Sequence, residues 1–186
     1  KQELNMKLKF ISMAVFSALT LGVATNASAV TTVNGGTVHF KGEVVDAACA
    51  VSLNSFDQTV SLGQVRSAKL KNDGDKSAPV GFNIELVDCD TQTSNNVSII
   101  FSGAQPAGKD KVLAVQGGAG TATNVGIKVL DYKGQEVSFD GTTPSSEYVA
   151  SSNSASIPFQ AFYVAVNGQA TAGTANADAT FKVQYQ

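Results

Sequence analysis

The sequence predicts an all-β domain of the immunoglobulin-like sandwich type, and three observations carry this prediction. Short runs rich in β-branched and aromatic residues alternate with turns that contain Gly, Asn and Asp. No stretch after residue 29 repeats its apolar residues at the roughly 3.6-residue spacing of a helix. The chain has only two cysteines, Cys49 and Cys89, which one disulfide would join.

We predict eight strands, separated by turn-forming pieces such as residues 72–75, 116–120 and 140–144. In chain order the strands are residues 37–45, 58–62, 80–87, 97–101, 112–115, 125–130, 156–166 and 177–185. This spacing favours a two-sheet sandwich, while the order of the strands within each sheet stays open.

The beginning of the chain predicts export. Residues 1–5 precede the first methionine and are interpreted as upstream residues outside the fold. From Met6, two lysines lead into an apolar stretch and then to Ala27 and Ala29, a succession typical of a signal peptide over residues 6–29. The apolar stretch has about fourteen residues, fewer than the roughly 20 that span a bilayer. We therefore expect cleavage after Ala29 and a soluble, exported protein.

Composition excludes several classes of function. The net charge is -2 and the isoelectric point is about 5.3, so no basic patch is expected and nucleic acid is not expected as a partner. In an oxidising compartment, Cys49 and Cys89 would form a structural disulfide that closes a loop of about 40 residues, worth roughly 4 kcal/mol. The alternative is a reactive or metal-binding thiol pair, but a metal site needs more ligands than these cysteines and one histidine provide. We expect no metal and no cofactor.

Candidate catalytic residues are few, and we expect no enzyme. His39 is the only histidine, and a catalytic arrangement would need a mobile segment to carry it, so we interpret it as a surface or interface residue. Asp88 and Asp90 flank Cys89 and are an alternative acid/base pair, but solvated residues at a strand end are the favoured interpretation. The Gly-rich residues 116–120 lack the lysine and the following helix of a phosphate-binding loop.

The last fourteen residues alternate small or apolar side chains with polar ones up to the end of the sequence. Because side chains repeat every two residues in a strand, one face would carry Ala175, Ala177, Ala179, Phe181, Val183 and Tyr185. An apolar strand with an uncovered edge is either an aggregation hazard or a docking site for another chain. We therefore predict a protein that a partner strand completes.

Residues 30–40 have the complementary property. They are rich in β-forming residues, yet Gly35 and Gly36 weaken them as an independent strand. A frayed terminus, or a hairpin turn at Asn34 and Gly35, is the alternative interpretation. Beside the C-terminal strand, this segment predicts strand addition between neighbouring molecules.

Seven stretches of the chain resemble the major pilin family of enterobacterial type 1 fimbriae. They are TTVNGGTVHFKGEVV at 31–45, AACAV at 47–51, VGFNIEL at 80–86, DCD at 88–90, TNVGI at 123–127, IPFQA at 157–161 and NADATFKVQYQ at 176–186. The family also carries a glycine fourteenth from the end and a penultimate tyrosine, and Gly173 and Tyr185 stand at these positions. The resemblance covers essentially all of residues 30–186.

This resemblance implies a pilin domain, residues 44–186, that lacks the final strand of an immunoglobulin-like sandwich, preceded by a donor-strand extension, residues 30–43. It implies donor residues Val30, Val33, Gly35, Gly36, Val38 and Phe40. It implies an acceptor groove and chaperone-recognition surface at Gly173, Ala177, Ala179, Phe181, Val183, Tyr185 and Gln186. The register stays open because Val38 and Phe40 share a phase with Gly36, while Val33 shares the other phase with Gly35.

The resemblance further implies a structural subunit of an adhesive surface fimbria. Its partners would be identical subunits in a head-to-tail polymer, a periplasmic chaperone, an outer-membrane usher, and tip or adaptor pilins. The subunit would cross the periplasm to the extracellular fimbrium. Two alternatives are a minor pilin or adaptor of the same fibre and an exported carbohydrate-binding module.

Overall fold

The structure is a computed structural model that describes residues 30–186. The signal peptide expected over residues 6–29, with Ala27 and Ala29, and the upstream residues 1–5 lie outside the described residues. Two units follow one another along the chain, Lys1–Gly42 and Glu43–Gln186. In the first unit, residues 30–42 form no helix or strand and their side chains are exposed.

The second unit is a sandwich of two antiparallel sheets, as predicted. Its strands are β1 (Ala50–Val51), β2 (Val80–Val87), β3 (Asn96–Gly103), β4 (Leu113–Ala114), β5 (Val125–Leu130), β6 (Tyr148–Val149), β7 (Ala155–Ala165) and β8 (Ala179–Tyr185). A short helix, α1 (Leu53–Phe56), and a 3-10 turn, Ser67–Lys69, lie between β1 and β2. One sheet has the order β1-β2-β7-β5-β4 and the other has the order β6-β3-β8.

The core lies between the two sheets because alternate residues of each strand point inward. In β2 the buried positions include Ile84 and Leu86, and in β3 they include Val97 and Ile99. Aromatic rings join the sheets: the Phe101 ring of β3 lies edge-on to the Phe159 ring of β7, with centroids 5.3 Å apart. The period-two pattern in the sequence is thus the direct cause of the sandwich.

Most predicted strands are confirmed, with small differences at their ends. β2 and β5 have the predicted bounds, and β3, β7 and β8 differ from prediction by one or two residues at an end. The predicted strand 112–115 is reduced to β4, which pairs with β5 over two residues. Strand ends are therefore set by where a partner strand stops.

Two predicted strands, 37–45 and 58–62, are wrong. In the first, Phe40 is 92% exposed and Val44 is 100% exposed, and neither segment joins a ladder among the described residues. A sequence with high β propensity needs a neighbouring strand to satisfy its backbone groups. Sequence reasoning also missed β1 and β6, because two residues are too few to show a periodicity.

A disulfide joins Cys49 to Cys89, as predicted. It links the residue before β1 to the chain just after β2, and Cys49 is buried. The Asp90 N–H also donates to the Ala48 carbonyl at 2.7 Å. These contacts fix the beginning of the sandwich to the end of its second strand.

The Asp131 carboxylate is buried and connects two turns of the sandwich. It accepts hydrogen bonds from the backbone N–H groups of Lys133 and Gln135 at 2.9 Å and of Ser146 at 3.0 Å. Burial alone would raise the pKa of this carboxyl group, but the hydrogen bonds outweigh burial and hold the pKa below its usual value. Asp131 is therefore ionised in the folded protein at neutral pH.

A groove beside strand β8

Strand β8 has a free backbone edge in the part of the chain that the structure describes, because it pairs with β3 alone. The Gln186 N–H donates to the Asn96 carbonyl at 3.0 Å. Since paired and unpaired positions alternate along one side of an antiparallel strand, every second residue of β8 points its backbone groups away from β3. These residues are Ala179, Phe181, Val183 and Tyr185.

The same alternate residues carry the apolar side chains of β8. Phe181, Val183 and Tyr185 are half-buried and pack against the core, and the Phe181 and Phe101 ring centroids are 6.3 Å apart. Each of these residues therefore combines an inward side chain with backbone groups directed to an open edge. An added strand would find both a ladder and an apolar surface here.

An apolar cavity of about 580 Å³ lies beside the first half of this open edge, at Ala179 and Phe181. One wall includes Val60 and Leu62 of the connection between α1 and β2, and the other includes Ala177 and Ala179. The floor is formed by side chains from both sheets, namely Phe82, Ile84, Phe101, Ile127, Val129 and Phe139. Side chains of both sheets thus line this cavity, and most of them, such as Ile84 and Phe139, are buried.

A second cavity of about 640 Å³ continues the first along both walls. On one wall it begins at Gly63, directly after Leu62, and on the other it ends at Asn176, directly before Ala177. We call the two cavities together the groove. Tyr163 lies in its second half and donates from its hydroxyl to the Ala175 carbonyl at 3.0 Å.

Gly173 lies on this second half of the groove, where the chain passes against another backbone segment. The Thr174 N–H donates to the Gly120 carbonyl at 3.0 Å, and the Ala122 N–H donates to the Thr174 carbonyl at 2.8 Å. A Cβ atom on Gly173 would stand 2.4 Å from the Ala122 nitrogen and 2.5 Å from the Thr121 carbonyl carbon. Only glycine fits this approach, which anchors the wall that leads into β8.

Tyr185 and Gln186 secure the other end of the wall. The Tyr185 hydroxyl donates to the Cys49 carbonyl at 2.8 Å, so it connects the end of β8 with the disulfide-linked residue before β1. Burial raises the pKa of the Tyr185 hydroxyl. The Gln186 carbonyl accepts a hydrogen bond from the Ser94 hydroxyl at 2.5 Å.

The predicted donor residues lie outside any strand. Val30, Val33, Val38 and Phe40 are largely exposed, and Gly36 has a φ of 128° that favours glycine. Four of the six predicted donor positions therefore present exposed apolar side chains, and none of the six belongs to a β ladder in the described residues.

The candidate catalytic residues are not brought together as a site. His39 is exposed in the segment before the sandwich. The Asp90 carboxylate accepts from the Thr93 hydroxyl at 2.6 Å and from the Gln92 N–H at 3.0 Å, which closes a turn and lowers its pKa. Across residues 30–186, no group of three His, Cys, Asp or Glu side chains is placed to hold a metal ion.

Residues 30–186 include no helix long and apolar enough to cross a membrane.

Sequence reasoning missed two parts of the groove. It treated residues 58–62 as a strand, whereas Val60 and Leu62 form a wall without a ladder. The alternation of these two residues with polar neighbours correctly indicated that one face of the segment points inward. It did not single out Tyr163, whose contact with Ala175 depends on how the segment before β8 packs against β7.

The sequence profile of the family described as fimbrial protein matches residues 38–186. The chain belongs to the fimbrial protein family. This fimbrial subunit is 69% identical to the type-1 fimbrial protein, C chain, of Escherichia coli, over 97% of this chain and 100% of that protein. It also resembles the P pilus rod subunit PapA, with 27% identity and a TM-score of 0.64, over 75% of this chain and 100% of that one.

A subunit of a chaperone-usher pilus, described in a study of rod uncoiling, is likewise similar, at 28% identity and a TM-score of 0.69. That match covers 84% of this chain and 100% of the other. The protein is therefore a structural subunit of a surface fimbria, with the immunoglobulin-like fold of chaperone-usher pilins.

Proposed function

We propose that this fimbrial subunit polymerises head to tail by donor-strand exchange. Residues 30–43 of one subunit would lie along β8 of the next subunit and fill its groove, and residues 44–186 would form the accepting pilin domain. The observation that supports this most directly is the coincidence, along β8, of an open backbone edge and an apolar groove. Strand addition uses both features, the edge for affinity and the pockets for specificity.

The free energy available from burying the donor residues is large enough for a stable contact between two subunits. Burying each apolar donor side chain, such as Val33, Val38 or Phe40, is worth about 1.5 to 3 kcal/mol, so several together reach the order of 10 kcal/mol before ordering costs. Ladder hydrogen bonds to the edge-facing groups of Phe181 and Val183 would add to this. The acceptor residues Gly173, Ala177, Ala179, Tyr185 and Gln186 would then hold or line the groove.

Further partners follow from the same proposal. An exposed groove needs protection before assembly, and a periplasmic chaperone that lends a strand to β8 would provide it. An outer-membrane usher would exchange that strand for the donor segment of the next subunit, and tip or adaptor pilins would occupy the ends of the fibre. The similarity to a chaperone-usher pilus subunit supports this pathway.

A donor peptide tests the proposal. A chain that begins at residue 44 has no donor segment, and a synthetic peptide of residues 30–43 should raise its melting temperature. At a peptide concentration about 100 times Kd, the gain is about 2.7 kcal/mol, or roughly 5 to 10 °C. A scrambled peptide is the control. The proposal would be contradicted if the truncated chain unfolded cooperatively on its own and the peptide did not change its melting temperature.

Two variant peptides decide the register. One carries Val38→Asn with Phe40→Asn, and the other carries Val33→Asn. The peptide that loses more affinity is the one whose substituted positions enter the groove, because an amide buried there without hydrogen-bond partners is costly. In a complementary design, residues 30–43 joined after Gln186 through a short linker should yield a stable, self-complemented monomer.

A further inference from the structure

Two Asn-Gly steps occur in this chain, Asn34–Gly35 and Asn167–Gly168, and the structure places them in opposite environments. Asn34 lies in the exposed segment 30–42, which has no helix or strand. Around Gly35, no neighbouring atom lies within 4 Å of the position that a Cβ would occupy. No neighbouring atom therefore packs against Gly35, and Asn34 is exposed.

Asn167 is restrained by its surroundings. Its N–H donates to the Asp73 carboxylate at 2.7 Å, and its φ of 64° belongs to a fixed left-handed turn. The preceding Val166 N–H donates to the Asn124 carbonyl at 2.9 Å. Rotation of the Asn167 backbone has to break these contacts.

We propose that Asn34 is a site of spontaneous deamidation in the unassembled subunit, and that this modification ends the donor function of residues 30–43 while leaving the groove intact. The Gly35 nitrogen attacks Cγ of the Asn34 side chain and forms a new N–Cγ bond. The Cγ–Nδ2 bond breaks, and ammonia leaves with the proton from the Gly35 N–H. Water then opens either C–N bond of the cyclic imide, which gives an aspartyl or an isoaspartyl residue.

Glycine favours this step because it has no Cβ to block the approach of its nitrogen. The restrained Asn167 should react at least about tenfold more slowly, since each hydrogen bond to be broken raises the barrier by about the amount that changes a rate tenfold.

The consequence for assembly rests on the proposed function. An isoaspartyl residue at position 34 inserts one methylene into the main chain, which shifts Val38 and Phe40 out of their common phase with Val30, and strand register depends on that phase. Both products also bring a negative charge to a strand that would be buried. Because β8 and its groove are untouched, a modified subunit still accepts a donor strand but no longer provides one, so it ends the polymer in one direction.

Ageing the purified subunit at neutral pH tests the chemistry. Peptide mapping by mass spectrometry should show a gain of about one mass unit at Asn34, with a rate at least about tenfold that at Asn167. The variant Gly35→Ala should slow the reaction at Asn34 and leave Asn167 unchanged. Equal rates at the two asparagines, or a faster reaction at Asn167, would overturn the proposal.

Three synthetic peptides of residues 30–43 test the consequence, with asparagine, aspartate or isoaspartate at position 34. The isoaspartyl peptide should bind a chain beginning at residue 44 at least about tenfold more weakly than the asparagine peptide. The aged subunit should bind the asparagine peptide as tightly as fresh subunit does. Equal affinities of the three peptides would overturn the loss of donor function. Failure of the asparagine peptide itself to bind would instead refute donor-strand exchange, while the ageing rates would still decide the chemistry.

Discussion

Replacing Gly173 with alanine perturbs the groove wall at the point where it is fixed to the rest of the sandwich. The added Cβ would stand 2.4 Å from the Ala122 nitrogen, 2.5 Å from the Thr121 carbonyl carbon and 2.8 Å from the Gly120 carbonyl oxygen. All three are backbone atoms, which cannot turn aside as a flexible side chain would. The two segments therefore have to separate.

The cost follows from the contacts that separation disturbs. The Thr174 N–H bond to Gly120 and the Ala122 N–H bond to Thr174 would each lose about 0.5 to 1.5 kcal/mol. Overpacking adds about 1 to 3 kcal/mol. We expect Gly173→Ala to lower the free energy of unfolding by about 2 to 6 kcal/mol, and the melting temperature by roughly 5 to 25 °C.

Urea unfolding, with the donor peptide at a fixed concentration, measures this loss. Gly117→Ala is the matched control, because no atom lies within 4 Å of its added Cβ. The control should change stability by less than about 1 kcal/mol. If Gly173→Ala unfolded at the same urea concentration as Gly117→Ala, the close backbone approach would not limit the choice of residue, and our explanation of this glycine would be refuted.

Three further changes test other contacts. Tyr185→Phe should lower the free energy of unfolding by about 1 kcal/mol in urea melts, since the Cys49 carbonyl loses its donor, whereas the same change at Tyr148 should have little effect. Replacing Cys49 and Cys89 together by alanine should cost about 4 kcal/mol in the same assay, and an unchanged midpoint would contradict the role of the bridge. Asp131, whose folded-state pKa is lowered, stabilises the fold above its unfolded pKa and loses that contribution as pH falls through the folded value. The free energy of unfolding of Asp131→Asn should therefore decrease less than that of the unsubstituted protein between about pH 5 and pH 2. An equal decrease in the two proteins would contradict this role of Asp131.

Much of the fold could be predicted because its signals are local. β2 and β5 have the expected bounds, since β-branched residues fill them and turn residues flank them. The inward face of β8 could likewise be predicted, because the alternation along a strand decides which side chains share a face. The disulfide followed from the number of cysteines and from expected export.

The errors concern segments whose strand-like sequences find no neighbouring strand, and a contact between distant residues. Residues 37–45 and 58–62 have strand-like sequences but no ladder among residues 30–186, so propensity alone misled the prediction. Likewise, the Tyr163 contact with Ala175 joins β7 to the segment that leads into β8, and nothing near either residue in the sequence indicates it.

The sequence by itself determined that this protein is a disulfide-linked, two-sheet β domain with an apolar face on its C-terminal strand. The period of its apolar residues, its turn residues and its composition are local properties that can be read directly from the chain. Only the tertiary structure decided that a groove lined by side chains of both sheets lies beside β8. It also decided that Gly173 meets the backbone of residues 120–122 and that Tyr185 reaches Cys49. Each of these contacts joins residues far apart in the chain, and packing brings them together where no local pattern can.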